Sequence, residues 1–153
     1  RKVLEAKKIP YQSCIKELNI ENYQLNFLNT RVFGDENNNS NVIYTDFNGY
    51  NFIFMEYVGI EQKKDILDKY NLTNIDVLKV GHHGNKTSSS KEFIDETEPK
   101  YAIIIVGKNN RYGHLKKEVP NNLDNSKIYR TDQDGSTMFK IKNIKLQIGT
   151  CSL

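Results

Sequence analysis

The order of the short apolar segments in the middle of the chain most constrains the fold. Val42–Phe47 and Tyr50–Met55 are rich in β-branched and aromatic residues and are joined by Asn48-Gly49, which predicts a β-hairpin with a two-residue turn. Apolar residues in Ile60–Tyr70 recur at helical spacing, which predicts an amphipathic helix directly after the hairpin. A hairpin that leads into a helix indicates a domain that mixes strands and helices.

Further strands are predicted downstream of this helix. Tyr101–Val106 is a continuous apolar run, typical of a strand buried on both faces. Ser88–Ser90 followed by Glu92 resembles a helix N-cap with a capping box, and Pro99 closes that helix. Strands that alternate with helices predict an α/β layered domain with a mixed β-sheet. The other predicted elements are a helix end at Arg1–Lys8, strands at Tyr23–Phe27, Asp76–Val80, Lys127–Arg130, Ser136–Ile141 and Lys145–Ile148, a short helix at Lys116–Leu123 and a β-turn at Thr131–Gly135.

Composition supports one folded domain over residues 1–153. The hydrophobic fraction is 37%, with nine Tyr and seven Phe, which argues against a disordered chain. No apolar run approaches the roughly 18 to 20 residues needed to cross a bilayer, so no membrane segment is predicted. The net charge of +3 tolerates a phosphate-bearing partner without indicating one. Cys14 and Cys151 predict two free buried thiols, with a single bridge between the chain ends as the alternative.

The stretch LKVGHHGNKTSSS, residues 78–90, contains two of the three histidines of the chain. A neutral imidazole is a natural ligand for zinc or manganese, and flanking glycines let the backbone turn sharply beside a bound ion. If the chain is extended here, the side chains of His82 and His83 point in opposite directions, so only one of them reaches a given ion. Because loops after buried strands gather at one edge of an α/β sheet, we expect His82, His83 and His114 to meet. The alternative is a polar loop with surface histidines.

Two groups of residues are candidates for binding phosphate. Lys86 with the hydroxyls of Thr87, Ser88, Ser89 and Ser90 at a helix N-terminus predicts a pocket for one phosphate group, with plain N-capping as the alternative. The spacing of Gly81, Gly84 and Lys86 excludes a nucleotide-binding P-loop. The second loop, KNNRYGHL, carries Arg111, Tyr112 and His114, with a solvated turn as the alternative.

The strings LKVGHHGNKTSSS, NNRYGHL and YRTDQDGSTMFKI occur in that order, and together they resemble the C-terminal half of the metallo-β-lactamase-fold domain of the competence protein ComEC and its stand-alone bacterial relatives. The resemblance runs from about Asn41 to Ile148. It implies an αββα sandwich with a mixed sheet, zinc or manganese as cofactor, and hydrolysis of a phosphodiester, with DNA as the suspected substrate. It also implies a bacterial domain that is attached to a membrane protein or exported.

By this resemblance, His82 matches the last metal-ligating histidine and His114 a second active-site histidine. Lys86 and the serine run match a loop that lines the site, so His114 and Lys86 are the implied catalytic residues. Thr87–Ser90, Arg111 and Tyr112 are the implied substrate contacts. His83 and Glu56 are the alternative metal ligands.

Two departures from the family pattern predict an incomplete metal site. The His-x-Asp/His-x-Asp-His string that opens the family's site is absent from this sequence. Tyr57, in Met55-Glu56-Tyr57-Val58, stands where the family places a metal-bridging aspartate. A phenol that titrates near pH 10 is a poor bridging ligand, whereas a carboxylate is ionised at neutral pH.

Two functions follow from the sequence. The first is the C-terminal portion of a ComEC-like metal-dependent phosphodiesterase or nuclease, inactive as this chain and lacking its N-terminal part. The second is a non-catalytic module that binds DNA, self-associates or pairs with the missing part. In either case a half sandwich predicts an exposed apolar sheet face and, with it, self-association or low stability.

Overall fold

The computed structural model describes residues 2–12, 15–28, 32, 34, 39–111 and 113–151. Helices and strands alternate after an initial series of strands. The helices are α1 (Lys2–Ala6), α2 (Ile60–Lys69), α3 (Lys91–Thr97), α4 (Glu118–Asn122) and α5 (Thr131–Asp134). The strands are β1 (Glu17–Ile20), β2 (Tyr23–Phe27), β3 (Val42–Phe47), β4 (Tyr50–Met55), β5 (Val77–Lys79), β6 (Tyr101–Ile104), β7 (Lys127–Arg130), β8 (Ser136–Lys142) and β9 (Lys145–Cys151).

The first seven strands form one mixed sheet in the order of the sequence, and β8 pairs with β9 in a separate hairpin. Strands β1 to β4 are antiparallel neighbours. Strands β4 to β7 are parallel, and α2, α3 and α4 lie in the connections between them. The prediction of an α/β fold with a mixed sheet is therefore confirmed. Because β5 and β6 are parallel neighbours, the loops that follow them emerge at the same edge.

The turn between β3 and β4 follows the sequence prediction. Asn48 and Gly49 both have positive φ, 52° and 84°, as a two-residue type I′ turn requires. The Asp46 carboxylate accepts a hydrogen bond of 2.9 Å from the Gly49 amide. Phe47 pairs with Tyr50 in register. Tyr57 lies in the segment immediately after β4. The turn sets the register of the hairpin and so the position of the β4 residues that precede Tyr57.

One face of the sheet is covered by helices and carries the core. Ile53, Leu78 and Ile104 project from three adjacent parallel strands and are fully buried. Ile66 of α2 and Phe93 of α3 belong to the same buried cluster. Full burial of a side chain of this size contributes about 1.5 to 3 kcal/mol.

The opposite face is only partly covered. Phe139 of β8 packs edge-on against Phe52, Tyr101 and Tyr129, with ring centroids 6.0 to 6.4 Å apart. Phe54 and Ile105 lie beyond the hairpin and are 37% and 45% exposed. The prediction that Tyr101–Val106 is buried on both faces is therefore wrong, because helices cover one face and the hairpin reaches part of the other. Of the apolar face expected to be exposed, Phe54 and Ile105 remain accessible to solvent.

Other differences from the sequence predictions are local. Residues 131–134 form one helical turn rather than a β-turn, since the Asp134 carboxylate accepts a 2.7 Å hydrogen bond from the Arg130 amide and closes it. Ser90 is the N-cap of α3 but makes no side-chain cap hydrogen bond, so no capping box forms there. Cys151 is exposed rather than buried because it lies among the exposed last residues of β9, and Cys14 lies outside the described residues. Within the described ranges, no helix is long and apolar enough to cross a membrane.

Candidate histidine cleft

Three histidines from two loops converge at the carboxyl edge of the parallel strands. His82 and His83 follow β5, whereas His114 follows β6. The ring centroid of His114 lies 5.5 Å from that of His82 and 6.2 Å from that of His83. The three rings line a cleft of about 370 Å³ together with Tyr57, Val106, Gly107 and Asn110. The prediction that the three histidines meet is confirmed, and the reason is the parallel pairing of β5 with β6.

The backbone of the first loop is a tight turn rather than an extended segment. His82 and His83 have φ of 45° and 53°, and residues 82–84 form a single 3-10 turn. Since neighbouring side chains alternate only on an extended chain, the expected separation of the two histidines does not occur. Both of them line the cleft.

Gly81 allows this turn to lie directly on the end of β4. A β-carbon at position 81 would stand 2.2 Å from the carbonyl oxygen of Glu56, far inside van der Waals contact. The same oxygen accepts a hydrogen bond of 3.1 Å from the amide of His82. The close approach brings the Tyr57 ring to 4.4 Å from the His82 ring, measured between centroids.

The carboxylate of Glu56 is directed to a neighbouring lysine. Lys79 Nζ donates to Glu56 Oε1 at 2.8 Å and to the Met55 carbonyl at 2.7 Å. Glu56 is not among the residues that line the cleft. The sequence prediction that Glu56 is an alternative ligand is therefore not supported by its position, because successive residues at the end of β4 face opposite ways. Lys79 was not singled out from the sequence, because it occupies an ordinary strand position in β5.

A network centred on Asn110 shapes the second loop. Its side-chain oxygen accepts a 2.8 Å hydrogen bond from the His114 amide, and its side-chain nitrogen donates to the carbonyls of Gly107 and His114. The amide of Lys116 donates to the Gly84 carbonyl at 3.2 Å and ties the two histidine loops together. Asn110 was not singled out from the sequence, although asparagine is a common turn residue whose side chain bonds to nearby backbone groups.

Burial and mutual repulsion keep two of the imidazoles neutral at pH 7. The pKa of His82 is lowered by burial and then by the charges of His114 and His83. The pKa of His114 is lowered by burial, by His83 and by Lys116. His83 Nδ1 lies 2.8 Å from the Ile105 carbonyl oxygen, which only accepts, so Nδ1 carries the proton. In the neutral His83 ring, Nε2 therefore has a free lone pair.

The predicted phosphate-binding residues lie apart from the cleft lining. Lys86 and Thr87 are exposed, whereas Ser89 is fully buried and Ser90 is half-buried. The Ser89 carbonyl accepts a 2.7 Å hydrogen bond from the Asn122 side chain, which turns this residue inward and away from solvent. Ser89 is therefore neither exposed to solvent nor part of the cleft lining.

The remaining predicted contacts are only partly described. Arg111 is exposed on the second histidine loop. Tyr112 and the side chain of Ser88 lie outside the described residues. Sequence reasoning missed Lys63, which is buried in α2 and donates from Nζ to the Thr87 carbonyl. The sequence signal for Lys63 is its position on the core-facing side of the amphipathic helix α2.

Comparison with known proteins gives sequence matches to three curated proteins. The chain is 38% identical over 120 residues to ComE operon protein 3 of Bacillus subtilis, a match that covers 77% of this chain. It is 32% identical over 109 residues to Competence protein ComA of Neisseria gonorrhoeae, which covers 69% of this chain. It is 39% identical over 73 residues to Recombination protein 2 of Haemophilus influenzae. The chain is a relative of bacterial competence proteins.

The matched region is a small part of those competence proteins. It spans 15% of ComE operon protein 3, 16% of Competence protein ComA and 9% of Recombination protein 2. No protein-family model matches the chain. The similarity agrees with the competence part of the resemblance seen in the sequence.

The donor set of the cleft does not meet the needs of the metal centre that the resemblance implies. Its lining residues in the described part of the chain supply imidazoles and a phenol, without a carboxylate. Across the described ranges, no three His, Cys, Asp or Glu side chains are grouped so as to hold a metal ion. Since dinuclear hydrolases need ligands that bind two ions about 3.5 to 4 Å apart, these residues do not fit that group.

Proposed function

We propose that this chain is the C-terminal part of a metallo-β-lactamase-like domain of a competence-type protein, and that it contacts DNA during uptake. The main support is the convergence of three histidines and Tyr57 at the carboxyl edge of the sheet, where α/β folds bind ligands. The relationship to competence proteins supports DNA as the partner. In this proposal the chain binds the phosphodiester without cleaving it.

The charge around the cleft supports an anionic ligand. Arg111 and Lys108 are exposed on the second histidine loop, and Lys116 lies close enough to lower the pKa of His114. No carboxylate is among the described residues that line the cleft. A basic rim attracts the phosphates of a nucleic acid, and the attraction weakens as salt is added.

Replacing Lys116 with glutamine is expected to weaken the binding of a fluorescein-labelled single-stranded dT12 several-fold at low salt. The variant removes one cation from the rim, so the slope of log affinity against log salt should fall by about 0.7, the value for one phosphate contact on a single strand. Fluorescence anisotropy at several salt concentrations measures both quantities.

The matched control is Lys140→Gln, which removes the same charge from an exposed position on β8, away from the cleft. Its affinity and salt slope should equal those of the unmodified chain. Equal losses in the two variants would contradict binding at the cleft. The absence of any binding at low salt would contradict the proposed function itself.

A second candidate function is metal-dependent phosphodiester hydrolysis by a domain that includes more ligands than the described residues supply. One observation favours it: the Ile105 carbonyl orients the His83 ring through Nδ1, the arrangement usual for metal-ligating histidines. In that case His83 and His82 would be the ligands contributed by this chain, for zinc or manganese. Pairing with another segment, or self-association, would also cover Phe54 and Ile105.

Metal retention separates the two candidates. After dialysis against zinc or manganese and then metal-free buffer, the chain is expected to retain well below one ion per molecule, since no three His, Cys, Asp or Glu side chains of the described residues are grouped so as to hold one. Inductively coupled plasma mass spectrometry measures the ratio. Two retained ions per chain would contradict the binding role and favour the hydrolase.

A further inference from the structure

We propose that the cleft formed by Tyr57, His82, His83 and His114 binds one nucleobase of single-stranded DNA by stacking. The inference rests on the proposed function and adds a ligand class to it: the base, rather than the phosphate alone, is recognised. The relation to competence proteins and the basic rim support binding of an anionic polymer only. The four aromatic rings of the cleft support binding of a flat ligand.

The first argument is the chemistry of the cleft walls. Four rings surround the space, and each lies within 6.5 Å of another between centroids. Every nucleobase has a π-face, and aromatic side chains bind such faces with little regard to sequence. The cleft volume of about 370 Å³ lies in the range of about 300 to 1,000 Å³ that is usual for small-molecule sites.

The second argument is the role of Tyr57. Its ring is 38% exposed and tilted by 58° against His82, so it presents part of its surface to an incoming ligand. The neighbouring carboxylate of Glu56 is held by Lys79. The phenol of Tyr57 is a poor ligand for a metal cation, whereas its ring adds an aromatic surface on which a base can stack.

The third argument is that the rings are held in place before any ligand arrives. The His82 amide is bonded to the Glu56 carbonyl, and the Lys116 amide is bonded to the Gly84 carbonyl. Leu115 packs on Gly84, where a β-carbon would lie 2.2 Å from Leu115 Cδ1. Backbone contacts therefore join the end of β4 and both histidine loops, which reduces the entropy lost when a base enters.

The test compares two oligonucleotides with equal numbers of phosphates. Fluorescein-labelled dT12 and a twelve-residue strand of abasic tetrahydrofuran units are titrated with the unmodified chain, and anisotropy gives both affinities. Stacking should make dT12 bind about tenfold or more tightly than the abasic strand. Tyr57→Ala should weaken the binding of dT12 more than that of the abasic strand and so abolish most of this preference, and Tyr57→Phe should keep it.

The outcomes separate the two proposals. If both strands bind the unmodified chain equally, stacking is refuted and DNA binding stands. If Tyr57→Ala weakens both strands equally, the tyrosine acts through the fold or the phosphates, and the stacking role is again refuted. If neither strand binds, the proposed function fails together with the inference. Thermal unfolding of Tyr57→Ala and Tyr57→Phe checks that both variants are folded, and the strand comparison on the unmodified chain stands without them.

Discussion

Replacing Gly81 with alanine is expected to destabilise the protein by about 3 kcal/mol, the upper part of the usual range for an overpacked site. The added β-carbon would meet the Glu56 carbonyl oxygen at 2.2 Å. The obstacle is backbone rather than the end of a flexible side chain, so the end of β4 and the histidine turn must separate. That movement would break the hydrogen bond from the His82 amide to Glu56 and carry the His82 ring away from Tyr57.

Urea unfolding followed by circular dichroism measures this loss. For a chain of this length, about 3 kcal/mol corresponds to a fall of about 6 to 12 °C in Tm. Gly149→Ala is the matched control, because no atom lies within 4 Å of a β-carbon there. We expect its stability to change by less than about 0.5 kcal/mol. Equal stabilities for Gly81→Ala and Gly149→Ala would show that the contact at Glu56 relaxes freely.

Replacing Lys63 with methionine is expected to raise the free energy of unfolding by about 2 kcal/mol more at pH 7 than at pH 10, relative to the unmodified chain. Lys63 is 1% exposed, and burial lowers its pKa from 10.5 to about 8. At pH 7 the folded protein therefore carries a charge that burial disfavours, at a cost of about 3 kcal/mol. Methionine keeps the apolar stem and removes the charge.

The sign of this pH dependence follows from the protons bound in each state. Between pH 8 and pH 10.5, Lys63 is neutral in the folded protein and still protonated in the unfolded chain. The unfolded state binds more protons in this window, so the stability of the unmodified protein rises with pH there. Lys63→Met lacks that rise, so its gain in stability over the unmodified protein becomes smaller as the pH increases. The loss of the hydrogen bond to the Thr87 carbonyl lowers the gain at both pH values.

Lys64→Met is the control for Lys63→Met. Lys64 is the next residue of α2, and its side chain is 57% exposed beside Glu92. Its effect on stability should be small and nearly the same at pH 7 and pH 10, because an exposed amine stays in contact with water when the chain folds. A Lys63→Met curve parallel to the Lys64→Met curve would mean that water or a neighbouring charge already solvates the buried amine.

Much of the fold was predictable because its signals are local. The Asn48-Gly49 turn needs only two residues with positive φ, and the helix at α2 needs only its apolar spacing. Both elements appear with nearly the predicted bounds. The turn at 131–134 was mispredicted since a single hydrogen bond from Arg130 to Asp134 decides between two similar turns. Burial on both faces of Tyr101–Val106 was mispredicted because hydrophobicity does not tell how many layers cover a strand.

The cleft was predictable in its members and not in its geometry. Spacing along the chain indicated that His82, His83 and His114 follow parallel strands, and their meeting follows from that topology. The positive φ at both histidines, which places the two rings in one cleft, occurs where Gly81 lies against the Glu56 carbonyl. The contact joins Gly81 to Glu56, 25 positions earlier in the chain, and no local sequence pattern predicts a contact over that separation.

Periodicity and turn chemistry were enough to predict the order of strands and helices, the hairpin and the edge of the sheet at which the histidines gather. The burial of Ser89, the ion pair between Glu56 and Lys79 and the packing of Tyr57 against the His82 ring are visible in the three-dimensional structure alone. The physical reason is that the direction of a side chain at the end of a strand is set by what packs across from it. In this protein the residues that pack across from one another come from distant segments of the chain. The cleft lined by Tyr57 and the three histidines forms where these segments meet.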